Sequence, residues 1–457
     1  MIQLPEPDVD VFAESVRGQV LRAGDGGYEG ARRIFNAMID RHPALIVCCA
    51  GTGDVVLGVD FARAHGLPLS VRGGGHSVAG NAVCEGGVML DLSGLKGIRV
   101  DPVERVAVAQ PGLTLGEFDR ATQAHGLATT LGVVSMTGIA GLTLGGGIGW
   151  LNGKYGLACD NLLSADVVTA DGQTLTANAS QNEDLYWGLR GGGGNFGVVT
   201  SFTYRLHPVG TVLAGAVTFP RERVREALRF YHEFASACPD ELSTGASLVR
   251  DGDGHPMLKV AVCYCGPLAE GERVLGPLRS FPGVEDGVGP MDYCAFQSGA
   301  DAGYPGGRQH YWKAGFLREL PDAAIDVLLG FVAEMPSLDS GAGLQQMCGA
   351  ASRVDPAATA FAHRARQYDL NILSQWADPA DAPRNVAWTR AFFAAIEPFL
   401  ERAVYANNLG DEGDDRVRAA YGTNYDRLAA VKARYDPVNL FRFNQNVKPA
   451  PERVPNP

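Results

Sequence analysis

Short apolar runs and helically spaced apolar residues alternate along the first part of the chain. Residues 44–47 form an apolar run, Val55, Val59 and Ala62 then recur at the spacing of one helix face, and residues 67–71 are apolar again. This order predicts a strand, a helix and a second strand, which together make a small α/β unit.

More elements of the same kind are predicted next. Residues 105–109 have the pattern of a strand, and Thr114 with Glu117 three positions later has the signature of a capping box, which predicts a helix to about residue 124. Two strands joined by an Asp171-Gly172 turn, a short helix and another strand are then predicted at residues 165–177, 184–189 and 198–206.

The pattern changes near residue 208, where glycine-rich sequence with many loops gives way to longer elements. The clearest helical patterns lie at residues 223–237, 323–334 and 386–400, and aromatic-rich strands are predicted at residues 309–317 and 367–376. Residues 421–449 have the pattern of a helix, a turn and an irregular tail. An antiparallel sheet covered by helices fits the second region best, so the fold class is predicted to be α+β, with a boundary near residue 208.

Composition excludes several classes of function. The chain of 457 residues is 46% hydrophobic and 20% charged, as in globular proteins, and its formal net charge is −12. Such a charge repels phosphate backbones and anionic lipid head groups, so neither nucleic acid nor an acidic membrane is an expected partner. The start of the chain has no basic segment followed by an apolar run, and a cytoplasmic location is expected.

The cysteines argue against a metal site. There are nine, an odd number, at irregular spacing and without a CxxC pair. Reduced thiols fit this pattern, and no metal is expected.

Three glycine clusters stand out, at residues 73–75, 145–147 and 191–194. Glycine allows backbone amides to approach an anion closely, which suits a diphosphate cradle, although each cluster alone is also typical of a tight turn. Residues 192–197 match GxGxxG, but a helix is predicted before them and a strand after them, the reverse of a dinucleotide-binding fingerprint. Binding of NAD through this motif is therefore rejected.

His76 follows the first glycine cluster directly, at the predicted end of a strand. A bulky polar ring is unusual there, although a histidine satisfied within a loop remains an alternative. Four ordered motifs decide the interpretation. They are Arg72-Gly-Gly-Gly-His76-Ser77, Gly138-Ile-Ala-Gly141-Leu-Thr-Leu-Gly-Gly-Gly147-Ile-Gly149, Tyr155-Gly-Leu-Ala-Cys-Asp160-Asn161 and Tyr435-Asp-Pro-Val-Asn-Leu-Phe-Arg442-Phe-Asn-Gln-Asn446.

The first three motifs resemble the FAD-binding domain of the vanillyl-alcohol-oxidase type (PCMH type), and the last resembles the tail of its berberine-bridge-enzyme-like branch. The resemblance implies an FAD-binding domain over residues 1–207, a substrate domain over residues 208–402 and a segment over residues 403–457 that returns to the FAD domain. The residues it implies for FAD are Arg72, Gly73, Gly74, Gly75, His76, Ser77, Thr137, Gly138, Gly141, Gly145, Gly146, Gly147, Asp160, Asn161, Gly197, Val199, Asn444 and Asn446.

The resemblance also implies how FAD is held. In this family the histidine after the glycines bonds to a methyl carbon of the flavin, which implies a covalent link through His76 and a more strongly oxidising flavin. Many relatives add a cysteinyl link inside a Cys-Pro-Thr-Val-Gly-like segment. Residues 134–138, Val-Ser-Met-Thr-Gly, occupy that place here, so the second link is expected to be absent, and Cys159 is expected to be a packed thiol near the flavin.

The residues that face substrate are less well defined by sequence. Tyr405-Ala-Asn407-Asn408 resembles the family's Tyr-x-Asn-Tyr segment, with Asn408 replacing the second tyrosine, and Tyr405 is the first candidate for the catalytic base. A core tyrosine is the alternative. The further candidates are Asp369 and Asn371, which alternation places on the opposite face of their strand from Tyr368, Leu370 and Ile372, and Tyr311 and Lys313 on the other aromatic-rich strand.

The sequence as a whole indicates an FAD-dependent oxidase that takes a hydride from an alcohol or amine carbon of a small organic substrate and reduces dioxygen to hydrogen peroxide. A flavin dehydrogenase with another acceptor, and a flavin-binding protein without turnover, remain open as alternatives. Small residues such as Thr137 and Gly138 above the flavin favour access of dioxygen. The expected partners are the substrate and dioxygen, and the oligomeric state is undetermined.

Overall fold

The computed structural model describes residues 5–451 of the chain, so the predicted limits at residues 1 and 457 lie outside the described residues. The N-terminal sheet contains β1 (Gln19–Leu21), β2 (Leu45–Cys48), β3 (Leu69–Arg72) and β4 (Val88–Asp91), in the order β1-β2-β4-β3. Helices α1 (Glu6–Ser15), α2 (Tyr28–Ala31) and α3 (Thr52–Ala64) accompany it. The predicted strand, helix and strand are confirmed as β2, α3 and β3.

Strand β4 was not predicted from the sequence, although in the sheet it lies between the predicted strands β2 and β3. It pairs in parallel with β2 and with β3, and its side chains are buried on both faces. Such a strand has no alternation of apolar and polar residues, and at four residues its pattern is too short to identify.

The middle sheet has the order β5-β6-β10-β8-β9 and is antiparallel. It is formed by β5 (Ile98–Asp101), β6 (Val106–Ala109), β8 (Leu162–Val168), β9 (Thr174–Asn178) and β10 (Val198–Arg205), while β7 (Leu127–Ala128) pairs with β11 (His207–Pro208). The helices of this region are α4 (Leu115–Gln123), α5 (Ile139–Leu144), α6 (Asn152–Tyr155) and α7 (Glu183–Leu189). The capping box at the start of α4 is confirmed, with Thr114 and Glu117 bonded in both directions.

The large sheet is antiparallel, with the order β15-β12-β14-β13-β18-β19-β17 and β16 beside β12. Its strands are β12 (Val212–Thr218), β13 (Leu242–Arg250), β14 (Pro256–Tyr264), β15 (Glu285–Asp286), β16 (Gly289–Met291), β17 (Gln309–Leu317), β18 (Gly341–Met347) and β19 (Gln367–Trp376). Its helices are α8 (Val224–Ser236), α9 (Leu268–Arg279), α10 (Tyr293–Gln297), α11 (Asp322–Ala333), α12 (Gly349–Arg353) and α13 (Ala382–Ile396). Helices α8, α11 and α13 share one apolar core with one face of the sheet, and the predicted α+β class, with an antiparallel sheet covered by helices, is confirmed.

Helices α14 (Asp414–Tyr421) and α15 (Tyr425–Tyr435) bring the end of the chain back to the middle sheet. Val417, Tyr421 and Leu428 are buried in one core with Phe202 of β10 and Phe118 of α4. No helix within residues 5–451 is both long enough and apolar enough to span a bilayer.

A buried ion pair fixes the tail that follows α15. The Lys432 ammonium donates to the Asp436 carboxylate at 2.6 Å and to the carbonyl oxygens of Asn195 and Phe441 at 2.8 Å each. Asp436 also accepts from the backbone N–H groups of Leu440 and Phe441. Both charged side chains are fully buried, and the pair is compensated by several hydrogen bonds, as buried charges require.

Replacement of either Lys432 or Asp436 is therefore expected to lower the stability of the fold. Lys432→Met leaves the Asp436 carboxylate buried without its cation, and we expect the free energy of unfolding to fall by about 3–5 kcal/mol. Denaturant titration of the purified protein measures this loss. The matched control is Lys448→Met, which removes an exposed pair with Asp414 and should leave the unfolding midpoint unchanged. Equal unfolding midpoints for the two variants would contradict a stabilising role for the buried Lys432–Asp436 pair.

Candidate active site

A cavity of about 500 Å³ lies where the three sheets approach one another. One wall is made by glycine-rich segments of the N-terminal and middle sheets, the opposite wall by the uncovered face of the large sheet. The predicted site residues that line it are Gly73, Gly74, Gly75, His76, Ser77, Thr137, Gly138, Gly141, Gly145, Gly197, Val199, Asp369, Asn371, Tyr405 and Asn444.

The glycines of this wall have two different roles. A Cβ on Gly74 would lie 2.5 Å from the backbone of Gly138, so these two loops pack backbone against backbone. A Cβ on Gly141 or on Gly194 would meet no atom within 4 Å, because both residues border the open cavity. Glycine in the first pair serves packing, and glycine in the second pair leaves room for a ligand to approach the backbone.

The second glycine cluster packs against the segment after residue 403 and against Ala158. A Cβ on Gly145 would lie 2.0 Å from the side-chain oxygen of Asn407, and one on Gly147 would lie 2.3 Å from Ala158. Gly146 and Gly147 have positive φ, which favours glycine. Neither residue is part of the cavity lining.

His76 lies in the loop after β3, four residues beyond the end of the strand rather than at its end, because the glycines form a separate turn. Its ring stacks on Phe35, with ring centroids 3.9 Å apart and an interplanar angle of 16°. Its Nε2 is buried without a hydrogen-bond partner among the described residues. Burial lowers the pKa of His76 to about 4, so the imidazole is neutral at physiological pH and keeps a nitrogen lone pair for bonding.

The other residues of the first motif differ in position. Arg72 forms an ion pair with Asp91, its Nε donating to the carboxylate at 2.9 Å, and also donates to the Ala31 carbonyl. It holds β3 to β4 and is not part of the cavity lining. Ser77 lines the cavity, and its hydroxyl oxygen accepts from the Asn81 N–H.

Asp160 and Asn161 lie behind the glycine wall. Asp160 accepts two hydrogen bonds of 2.7 Å from the buried guanidinium of Arg364, while Asn161 donates to the carbonyls of Tyr155 and Leu157. Cys159 is buried in an apolar cluster behind the same wall. The structure thus gives these residues contacts that stabilise the wall rather than contacts with the cavity.

The tail supplies part of the cavity rim. Asn444 lines the cavity and donates to the carbonyls of Gly194 and Phe441. Asn446 lies outside the lining, with its side-chain oxygen buried and without a partner in the described part of the chain.

Alternation along β19 is as predicted. Tyr368, Leu370 and Ile372 are in the core beneath the helices, whereas Asp369 and Asn371 line the cavity. Residues directly opposite in neighbouring strands share a face, and Lys313 of β17 is opposite Ile372. Lys313 and Tyr311 are therefore on the helix face, away from the cavity.

The contacts made by Lys313 and Tyr311 agree with a position on the helix face of β17. Lys313 forms an ion pair with Glu412 at 2.6 Å, and the Tyr311 hydroxyl accepts from Arg390 of α13. Trp312, between them, lines the cavity instead.

Asp369 is the carboxylate of the cavity. Its Oδ2 accepts from the Asn408 amide at 2.5 Å, and its Oδ1 is buried without a partner within residues 5–451. Burial raises the pKa of Asp369 to about 7, although the hydrogen bond from Asn408 opposes the rise. The group is therefore poised to exchange a proton near neutral pH.

Two hydrogen bonds accepted by its hydroxyl oxygen hold Tyr405 in place. That oxygen accepts from the Gly147 N–H at 2.9 Å and from the Asn407 amide at 2.7 Å. The hydrogen bonds favour the phenolate, but burial has the larger effect and raises the pKa of Tyr405 above its ordinary value.

Sequence analysis missed much of the wall opposite the glycines. Its floor consists of small or polar residues of the large sheet, and aromatic side chains stand around it. These residues are Gly245, Ser247, Ala261, Gly343 and Gln345 of the floor and Trp150, Tyr304 and Trp312 around it. Alternation could have found Trp312, since the predicted strand contains it, but β13 and β18 are rich in glycine, alanine and serine and carry no strong strand signal.

Comparisons with known proteins agree with this geometry. The FAD binding domain family matches residues 43–178, and the family named berberine and berberine like matches residues 404–448. An FAD-linked oxidoreductase from Dictyostelium discoideum is 32% identical over 447 residues, which are 96% of this chain and 97% of that protein. The chain belongs to the berberine-bridge-enzyme-like FAD-linked oxidoreductases. It is accordingly an FAD-dependent oxidoreductase.

Two further relatives extend the comparison. The (R)-6-hydroxynicotine oxidase of Paenarthrobacter nicotinovorans is 30% identical over 456 residues, covering 95% of this chain and 97% of that protein. The crystal structure of 6-hydroxy-D-nicotine oxidase from Arthrobacter nicotinovorans has a TM-score of 0.88 at 28% identity and covers 95% and 99% of the two chains. The resemblance inferred from sequence is confirmed.

The cavity of this FAD-linked oxidoreductase fits FAD. The backbone at Gly141 and Gly194 is open to the cavity, and open glycine backbone lets N–H groups approach an anion such as a diphosphate closely. His76, in the loop after β3, lines the same cavity. No group of three or more histidine, cysteine or carboxylate side chains suited to a metal ion occurs within residues 5–451.

A side chain at Gly141 should occupy the space that FAD needs. A Cβ at Gly141 meets no atom within 4 Å, and the residue borders the cavity. Gly141→Leu should therefore direct its side chain into that space, and we expect a normal unfolding temperature without cofactor and at least a threefold loss of bound flavin. The flavin-to-protein absorbance ratio of the purified protein measures it. Gly330→Leu is the matched control, because Gly330 is an exposed helical glycine with the same free space far from the cavity. Equal flavin content in both variants would exclude Gly141 from the cradle.

Proposed function

We propose that the chain is an FAD-linked oxidase that removes a hydride from an alcohol or amine carbon of a small organic substrate, with Asp369 as the proton acceptor and dioxygen as the final electron acceptor. The observation that carries the proposal is the Asp369 carboxyl, which lines the cavity with one oxygen free of partners among the described residues and a pKa raised to about 7. A base with a pKa near the working pH combines the ionised form with useful basicity. The named activity of the (R)-6-hydroxynicotine oxidase relative supports the reaction class.

FAD supplies the hydride acceptor when it is bound. We further propose that it is attached covalently through a ring nitrogen of His76, whose neutral imidazole lines the cavity.

Asp369 takes the proton from the substrate's hydroxyl or amine while the hydride leaves the adjacent carbon. The unpartnered Oδ1 is the oxygen free to accept it, because Asn408 occupies Oδ2. The amide of Asn408 fixes the orientation of the carboxyl group and stabilises its ionised form. Asn371, two residues along the same face of β19, offers a further polar group to the substrate.

Tyr405 is better suited to positioning than to proton transfer. Its hydroxyl oxygen already receives the Gly147 N–H and the Asn407 amide, and burial raises its pKa. These bonds hold residues 405–409 against the second glycine cluster and thereby place Asn408 beside Asp369.

Aromatic residues and the absence of cationic side chains define the substrate end. Trp150, Tyr304 and Trp312 line the cavity, and within residues 5–451 no lysine or arginine side chain does so. A neutral or cationic substrate with a ring is favoured over an anionic one.

The covalent link can be tested directly. After acid denaturation and gel electrophoresis, flavin fluorescence should stay on the wild-type polypeptide and disappear in His76→Ala. His65→Ala is a control, since the partly buried His65 lies beside Asp8 and outside the cavity lining. Wild-type flavin that separates completely from the polypeptide would overturn the attachment.

The role of Asp369 predicts a pH dependence. The ionised form is the base, so the rate constant of flavin bleaching at saturating substrate should rise about tenfold per pH unit below pH 7 and level off above it. Asp369→Asn should lower the plateau at least ~10²-fold and remove this limb. Stopped-flow absorbance with a panel of cyclic amines and alcohols, including 6-hydroxynicotine, measures both effects.

A second buried carboxyl provides the control. Burial raises the pKa of Asp119 well above its ordinary value, but Asp119 is not part of the cavity lining, so Asp119→Asn should keep the wild-type pH profile. Bleaching of Asp369→Asn at the wild-type rate would exclude Asp369 as the base.

A further inference from the structure

Three aromatic rings are stacked in a row beside the cavity. Phe35 lies between His76 and His310, with centroid distances of 3.9 Å and 4.1 Å and interplanar angles of 16° and 22°. The edge of Trp312 closes the side of this row, 5.7 Å from His310 and 6.2 Å from Phe35. His76 lies in the loop after β3 of the N-terminal sheet, whereas His310 and Trp312 belong to β17 of the large sheet.

The segment that carries Phe35 is bonded to both sides. The Phe35 N–H donates to the Gly75 carbonyl at 3.0 Å, next to His76. The buried amide of Asn36 donates to the carbonyls of Val78 and His310, and its oxygen accepts from the His310 N–H. Residues 35–37 therefore form a bridge between the loop of His76 and the start of β17, and we name it the Phe35 bridge.

The row of rings controls His76 by contact and by exclusion of water. The His76 ring cannot rotate about its side-chain torsions without losing its stacking contact with Phe35. The Nε2 atom of His76 is buried without a partner in residues 5–451, and burial lowers the pKa of His76, which favours the neutral form. Both nitrogens of His310 also lack partners within the described chain. Nothing in this row offers His76 a counter-ion.

We propose that the Phe35 bridge is a positioning device for cofactor attachment, in which Phe35 holds the neutral His76 ring in the orientation required to bond to FAD. The inference rests on the covalent link proposed above. Phe35 is not itself part of the cavity lining, so it acts through His76 and is a positioning residue.

The step that it serves is an oxidation of the flavin's methyl group. A C–N bond forms between a ring nitrogen of His76 and that methyl carbon, while one methyl C–H bond and one imidazole N–H bond are broken. The two electrons and two protons released pass to the flavin and then to dioxygen, which becomes hydrogen peroxide. The ring must be neutral for this step, because a protonated imidazole has no lone pair to donate.

The test compares covalent and total flavin in purified variants. Phe35→Leu keeps an apolar side chain but removes the ring, and it should lower the covalent fraction at least fivefold while total flavin stays within twofold of wild type. Phe35→Tyr keeps the ring and should restore the wild-type covalent fraction. His310→Leu removes the outer ring only and should give an intermediate value.

A matched control lies in the same part of the chain. Phe12 stacks on Phe61 at 4.2 Å in the core behind the N-terminal sheet, so Phe12→Leu also breaks an aromatic stack and should leave the covalent fraction unchanged. Covalent flavin is read from gel fluorescence and intact mass, total flavin from absorbance, and folding from the unfolding temperature.

The possible outcomes separate the two proposals. If the wild-type protein holds no covalent flavin, the attachment through His76 fails and this inference fails with it. If the wild type is covalent and Phe35→Leu is equally so, the attachment stands and the role of Phe35 is overturned. Joint loss of covalent and total flavin in both Phe35→Leu and His310→Leu would assign the row to folding, and would overturn the role as well.

Discussion

The site depends on the buried contact of Lys432 with Asp436, Asn195 and Phe441. Asn195 follows the third glycine cluster, and Phe441 begins the part of the tail that reaches the cavity. One ammonium group thus ties the last helix, a glycine-rich loop and the tail together. Loss of an acceptor would leave this buried charge poorly compensated, so a change in any of the three segments is expected to destabilise the others.

Part of the fold was predictable because several elements carry clear sequence patterns. The strands at residues 309–317 and 367–376 agree with β17 and β19, and the capping box marks the start of α4. Several strands were not predicted from the sequence, and three of them, β4, β13 and β18, have unusual faces. Strand β4 is buried on both faces, and β13 and β18 have small or polar residues on the face that lines the cavity.

The site was predictable to the extent that its parts lie in contiguous motifs. The glycine loops and His76 do, and so does Tyr405 with its two asparagines. Contacts made between distant segments carry no local signal, which is why the bond from Asn408 to Asp369, the ion pair of Asp160 with Arg364 and the stack of Phe35 on His76 emerged from the structure alone. Lys313 and Tyr311 illustrate the same restriction. Alternation shows that they share one face of their strand, but it does not show whether that face meets the cavity or the helices.

The two faces of β19 have separate roles. Tyr368, Leu370 and Ile372 anchor the sheet to its helices, while Asp369, Asn371 and Leu373 contact whatever enters the cavity. A change at Asn371 or Leu373 can therefore alter what the cavity accepts, with less effect on the helix-covered core than a change at Leu370 or Ile372. The strand thus separates positions that hold the sheet to its helices from positions that meet the cavity, so redesign of the cavity can be confined to one face of it.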